Sequence, residues 1–104
     1  MKPEIMKLID LADDQKESVV SRSLLNKKTG TVTVFSFAAG QGLSEHTAPF
    51  DALVQIIDGE AEIIIDQELY ILKAGEIIIM QGGKPHALHA SQAFKMLLIM
   101  IRSE

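Results

Sequence analysis

From residue 19 onward the chain is a succession of short aliphatic and β-branched runs, each stopped by a turn signal, and no stretch keeps a helical period for three turns. That pattern leaves few options. Short strands at close, regular spacing have to close into an antiparallel barrel or sandwich. The runs at 19–25, 31–38, 52–57, 61–65, 68–72, 77–80, 86–90 and 94–102 read as strands. The breaks between them carry Asn26-Lys27-Lys28-Thr29-Gly30, Gly40-Gln41-Gly42, Asp58-Gly59, Asp66-Gln67, Lys73-Ala74-Gly75 and Gly82-Gly83-Lys84-Pro85. Gly, Asn, Asp and Pro supply the backbone angles that tight turns require. Residues 5–11 read as a short strand or a helical turn, with the strand preferred, and 10–18 as a polar, acidic loop. With 104 residues the chain has the size of one domain. It divides into residues 1–30, strands and loop packing on the barrel, and residues 31–102, the barrel core.

Three strands depart from the alternation expected of a sheet with one wet face. Ile63-Ile64-Ile65, Ile77-Ile78-Ile79-Met80 and Met96-Leu97-Leu98-Ile99-Met100-Ile101 are apolar at every position. A small barrel has one interior, so the second dry face needs a cover. A second copy of the chain is the simplest one, and a homodimer with an apolar interface is expected. The competing reading is that the N-terminal segment covers that face within one chain.

Composition narrows the function classes. There is no Cys, which excludes disulfides, thiolate metal sites and thiol nucleophiles. The net charge is −4, with residues 31–104 acidic and no basic run or aromatic platform, so nucleic acid is not an expected partner. The longest strictly aliphatic run, 96–101, is far short of the roughly 20 residues that span a bilayer. The start, Met1-Lys2-Pro3-Glu4-Ile5-Met6-Lys7, lacks the apolar core of a signal peptide. No membrane association and a cytoplasmic location are expected.

Candidate chemistry rests on histidine, the usual residue for metal ligation and for proton transfer near neutral pH. The three are His46, His86 and His89. His46 lies in Gly40-Gln41-Gly42-Leu43-Ser44-Glu45-His46, and His86 ends the run that starts at Gly75. His89 differs from His86 in strand parity and is expected to face outward. The Ser44-Glu45-His46 run holds nucleophile, acid and base types, but a triad needs them to converge in space, and no Gly-x-Ser-x-Gly elbow is present.

These two stretches resemble the paired motifs of the cupin superfamily, whose members are double-stranded β-helix (jelly-roll) barrels. Gly40, His46 and Gly59 match the first motif, and Gly75, Gly83 and His86 match the second. Ala48 stands where the family has a second His, Ala52 where it has Glu, Gln81 where it has Pro, and Ala90 where it has Asn. The resemblance covers residues 31–102 and implies an all-β cupin barrel. It also implies a central site in which the family holds one divalent metal ion (Zn, Mn, Fe or Ni). Of its ligands only His46 and His86 carry over. Asp51, one position before the lost Glu, is the nearest substitute, although strand alternation points it away from Ala52. Phe35, Phe37, Met80, Met96 and Met100 are the expected walls of an adaptable apolar pocket.

Two functions follow. The first is a metal-dependent enzyme acting on a small molecule, an oxygenase, isomerase or hydro-lyase, with His46 and His86 as ligands. The second is a metal-free module that binds or senses a small ligand through the same pair. A metal-free enzyme using His46 as general base is a third.

Overall fold

In a computed structural model, which describes residues 2–102, two antiparallel sheets face each other. The strands are β1 (Val19–Lys27), β2 (Gly30–Phe37), β3 (Gly42–His46), β4 (Asp51–Asp58), β5 (Glu60–Ile65), β6 (Glu68–Lys73), β7 (Ile77–Met80), β8 (His86–His89) and β9 (Phe94–Ile101). The first sheet runs β1-β2-β9-β4-β7 and the second β3-β8-β5-β6. Apart from the β1–β2 and β5–β6 hairpins, each strand lies in the opposite sheet from the one before it, as in a jelly roll. No described helix is long and apolar enough to cross a membrane.

Residues 5–11 are not a strand. Lys7 to Leu11 close a single 3-10 turn at Leu8–Asp10, through bonds from Asp10 N to Lys7 O and from Leu11 N to Leu8 O. The segment then lies on the outer face of β2 and β9. There Lys95 Nζ donates to Ile9 O at 2.8 Å, and Ser36 Oγ donates to Asp14 Oδ1 at 3.0 Å. Asp14 Oδ1 also lies 3.9 Å from Lys95 Nζ, so this ammonium, in a residue only 9% exposed, has both an acceptor and a countercharge.

The interior has two ends. One is solid hydrocarbon: Phe37 stacks on Phe94 with ring centroids 4.6 Å apart, among Ile56, Ala61, Ile63, Leu72 and Ala90. The turn at Gly59 seals this end. Its φ is +78°, and a Cβ there would press on the Ala93 carbonyl oxygen. The other end is hollow and holds the site.

Candidate functional site

Two imidazoles meet at the hollow end. His46 closes β3 and His86 opens β8, and the two are direct cross-strand partners. The pairing depends on one extra residue. Leu43 pairs with Leu88 and His46 with His86, so β3 advances three positions while β8 advances two. This is a β-bulge. In a regular strand Leu43 and His46 would face opposite ways. The bulge at Ser44 and Glu45 turns both inward. Gly42 makes the close approach possible, since a Cβ there would overlap the Leu88 carbonyl oxygen.

The two rings are edge to face, with centroids 4.3 Å apart and planes at 66°. His46 Nδ1 bonds the Ser44 carbonyl oxygen at 2.8 Å, and His86 Nδ1 bonds the Lys84 carbonyl oxygen at 3.3 Å. A carbonyl only accepts, so both nitrogens carry hydrogen. In the neutral rings each Nε2 is therefore a free acceptor. Burial pushes the His86 pKa below its ordinary value of 6.5; the neighbouring His46 adds to this, and the Lys84 carbonyl opposes it. The fold thus holds a proton on His86 less well than the unfolded chain does. His86 costs no stability above pH 6.5, and stability falls as the pH drops from there through the lowered pKa. Thermal unfolding between about pH 7.5 and pH 5 should show wild type losing more stability than His86→Gln, by at most about 1.4 kcal/mol per pH unit. Equal losses would contradict this.

Around the pair the cavity is hydrocarbon and thioether. Its volume is about 60 Å³, and its walls include Leu43, Ala48, Phe50, Ala52, Met80 and Leu88, with Met96, Leu98 and Met100 from β9. Two bonds donated by backbone amides brace the mouth: Gly83 N to the Ala48 carbonyl oxygen and Gly82 N to the Asp51 carboxylate Oδ1, both 2.8 Å.

Of the residues expected at the site, His46, His86, Met80, Met96 and Met100 line this cavity. The others lie elsewhere. Phe37 belongs to the solid end, and Phe35 stacks on it at 5.9 Å. Asp51 is exposed, and its carboxylate is engaged with Gly82. His89 sits on the opposite face, 3.8 Å from Glu62 Oε1. Leu43, Phe50, Leu88 and Leu98 are wall residues the sequence reading did not name. Leu98 and Leu88 could have been found by parity with Met96 and His86. Leu43 could not without the bulge, and Phe50 lies in a loop with no pattern to read.

Residues 33–102 match the family model described as a cupin domain. The chain belongs to the cupin family. A conserved protein of unknown function from Streptococcus pyogenes is 38% identical and superimposes with a TM-score of 0.94, over 100% of this chain and 91% of that one. A cupin superfamily protein from Desulfitobacterium hafniense is 28% identical, with a TM-score of 0.92 over 99% and 94% of the two chains. A salicylate 1,2-dioxygenase from Pseudoaminobacter salicylatoxidans shares the fold at 14% identity, with a TM-score of 0.75 over 82% of this cupin and 25% of that chain. No curated protein sequence matches.

The donor set does not fit the divalent ion the family commonly holds. Among the described residues, no group of three or more His, Cys, Asp or Glu comes together. Catalytic sites of this kind use at least three protein ligands. Here the third and fourth positions are Ala48 and Ala52, and both line the cavity as methyl groups. Two neutral imidazoles in an apolar chamber provide no negative charge to offset a dication taken out of water.

Proposed function

We propose that this cupin is a metal-free binding module for a small, largely apolar molecule that carries a hydroxyl or comparable hydrogen-bond donor. One observation supports the reading: two imidazoles, each fixed through Nδ1 to a backbone carbonyl, present paired acceptors to a cavity otherwise made of hydrocarbon and thioether. A few convergent polar atoms on apolar walls are the usual make-up of a ligand pocket. With both rings neutral the pair accepts hydrogen bonds, so it favours a donor group and disfavours a carboxylate. The three methionines suit a ligand somewhat larger than the resting cavity, because an unbranched thioether repacks easily.

The test compares phenol with toluene as probes. Phenol should raise the melting temperature of wild type more than toluene does. In His46→Ala/His86→Ala the two should act alike, the lost hydrogen bond weakening phenol binding by about 5- to 10-fold. Equal effects of the two probes on wild type would remove the proposed role of the pair. Near-stoichiometric Zn, Mn, Fe or Ni in tag-free wild type, lost in the double variant, would favour the metal-dependent enzyme instead.

A further inference from the structure

We infer that the hollow end of the barrel is also a site for one soft monovalent metal ion, Cu(I) or its analogue Ag(I), held by His46, His86 and a methionine thioether. Among the described residues that line the cavity, the side-chain heteroatoms belong to these two imidazoles and to the thioethers of Met80, Met96 and Met100. Thioether sulfur selects Cu(I) over hard divalent ions, and imidazole also suits copper.

Strand register sets the sulfurs in place. Ala52 on β4 pairs with Met80 on β7 on one side and with Met100 on β9 on the other. The three form one row across the larger sheet, and all three line the cavity. Ala52 is only a methyl group, so the space between the two thioethers stays open. Met96 pairs with Ile56 of the solid end and is 1% exposed, which makes it wall more than donor. The His pair lines the same cavity of about 60 Å³ from the smaller sheet.

Charge and geometry both select the monovalent ion. The cost of taking an ion out of water rises as the square of its charge, so at equal size a monovalent ion costs about a quarter of what a dication does. Neutral donors can then hold it without a carboxylate. Each ring is oriented by its Nδ1 bond to a backbone carbonyl, which leaves the Nε2 lone pair as the metal donor. Linear two-coordination would put the rings on opposite sides of the ion, farther apart than the 4.3 Å between these centroids. The pair therefore makes a bent chelate, open on one side to a third donor, and the thioethers fill that role. This goes beyond the organic ligand proposed above and rests on that reading only for the free Nε2 atoms. Both occupants need the same lone pairs, so a soft ion blocks the site that the metal-free protein offers to the organic molecule.

Titration calorimetry of the tag-free full chain with Ag⁺ in chloride-free buffer tests this, together with copper-edge X-ray absorption of protein loaded anaerobically with Cu⁺. Wild type should take up one Ag⁺ above the background that exposed Met6 and His89 give in His46→Ala/His86→Ala. Met80→Leu/Met100→Leu nearly conserves side-chain volume. It should weaken that binding by at least about tenfold, since loss of even an outer-shell partner costs about that much. The copper spectrum should show sulfur beside two nitrogens, and saturating Ag⁺ should abolish stabilisation by phenol. No uptake above background overturns the inference and leaves the phenol comparison of wild type and variant standing. Unchanged affinity in the leucine variant, a copper spectrum without sulfur, or phenol stabilisation that survives saturating Ag⁺ overturns it too. Uptake of one Ag⁺ by a wild type that phenol does not stabilise supports the metal site and counts against the organic ligand alone.

Discussion

Substituting Ala48→His and Ala52→Glu together is expected to make the stability of this cupin depend on a divalent metal. Both alanines line the cavity that holds His46 and His86, and Ala52 is 6% exposed. The double variant places four potential ligands around one chamber and supplies the anion that the natural set lacks. Without metal the new carboxylate is buried and unpaired, which costs about 1–3 kcal/mol or more. With metal at about 100 times its Kd, binding returns about 2.7 kcal/mol. Melting curves with and without Mn²⁺ or Zn²⁺ should therefore diverge for the variant and coincide for wild type. A wild type that shifts as far as the variant would show that two imidazoles suffice. A variant that folds but ignores metal would show that these alanines do not face a common centre.

Phe37→Ala is the other change with a large expected effect. Phe37 is fully buried and sandwiched between Phe35 and Phe94. Removing a ring from such a place costs about 3–5 kcal/mol, because the lost burial is joined by a cavity that strands on both sides cannot collapse to fill. Total stability of a domain this size is about 5–15 kcal/mol. A melting temperature lower by more than about 12 °C should follow. Any folded fraction should keep its affinity for a probe in the His46 cavity, since Phe37 belongs to the other end. A small loss of stability together with a loss of binding would mean that Phe37 is a pocket wall after all.

The strands and the fold were legible because they rest on local signals: β-branched runs and turn residues such as Asp58-Gly59 and Lys73-Ala74-Gly75. The candidate site was legible in its histidines and only partly in its walls. Met80, Met96 and Met100 follow from composition. Separating them from Phe35 and Phe37 required knowing which end of the interior stays hollow, and that depends on side chains from both sheets. Asp51 was chosen by proximity in sequence; the hydrogen bond from Gly82, 31 residues away, has no local trace. Residues 5–11 hold a helical turn and not the preferred strand for a similar reason. An apolar run such as Ile5-Met6 favours extension only when a neighbouring strand is available, and both edges of each sheet are supplied from later in the chain.

The bulge in β3 has a consequence for how such a barrel can change over time. His46 faces inward because of a count of residues and not because of any special neighbour. Deleting Ser44 or Glu45 would leave Leu43 and His46 two positions apart, so a regular strand without the bulge would keep the ring inward and paired with His86. A lineage with this framework could then gain or lose the bulge residue without moving its inner imidazole, and would change its inner chemistry by substitution at the positions that line the cavity.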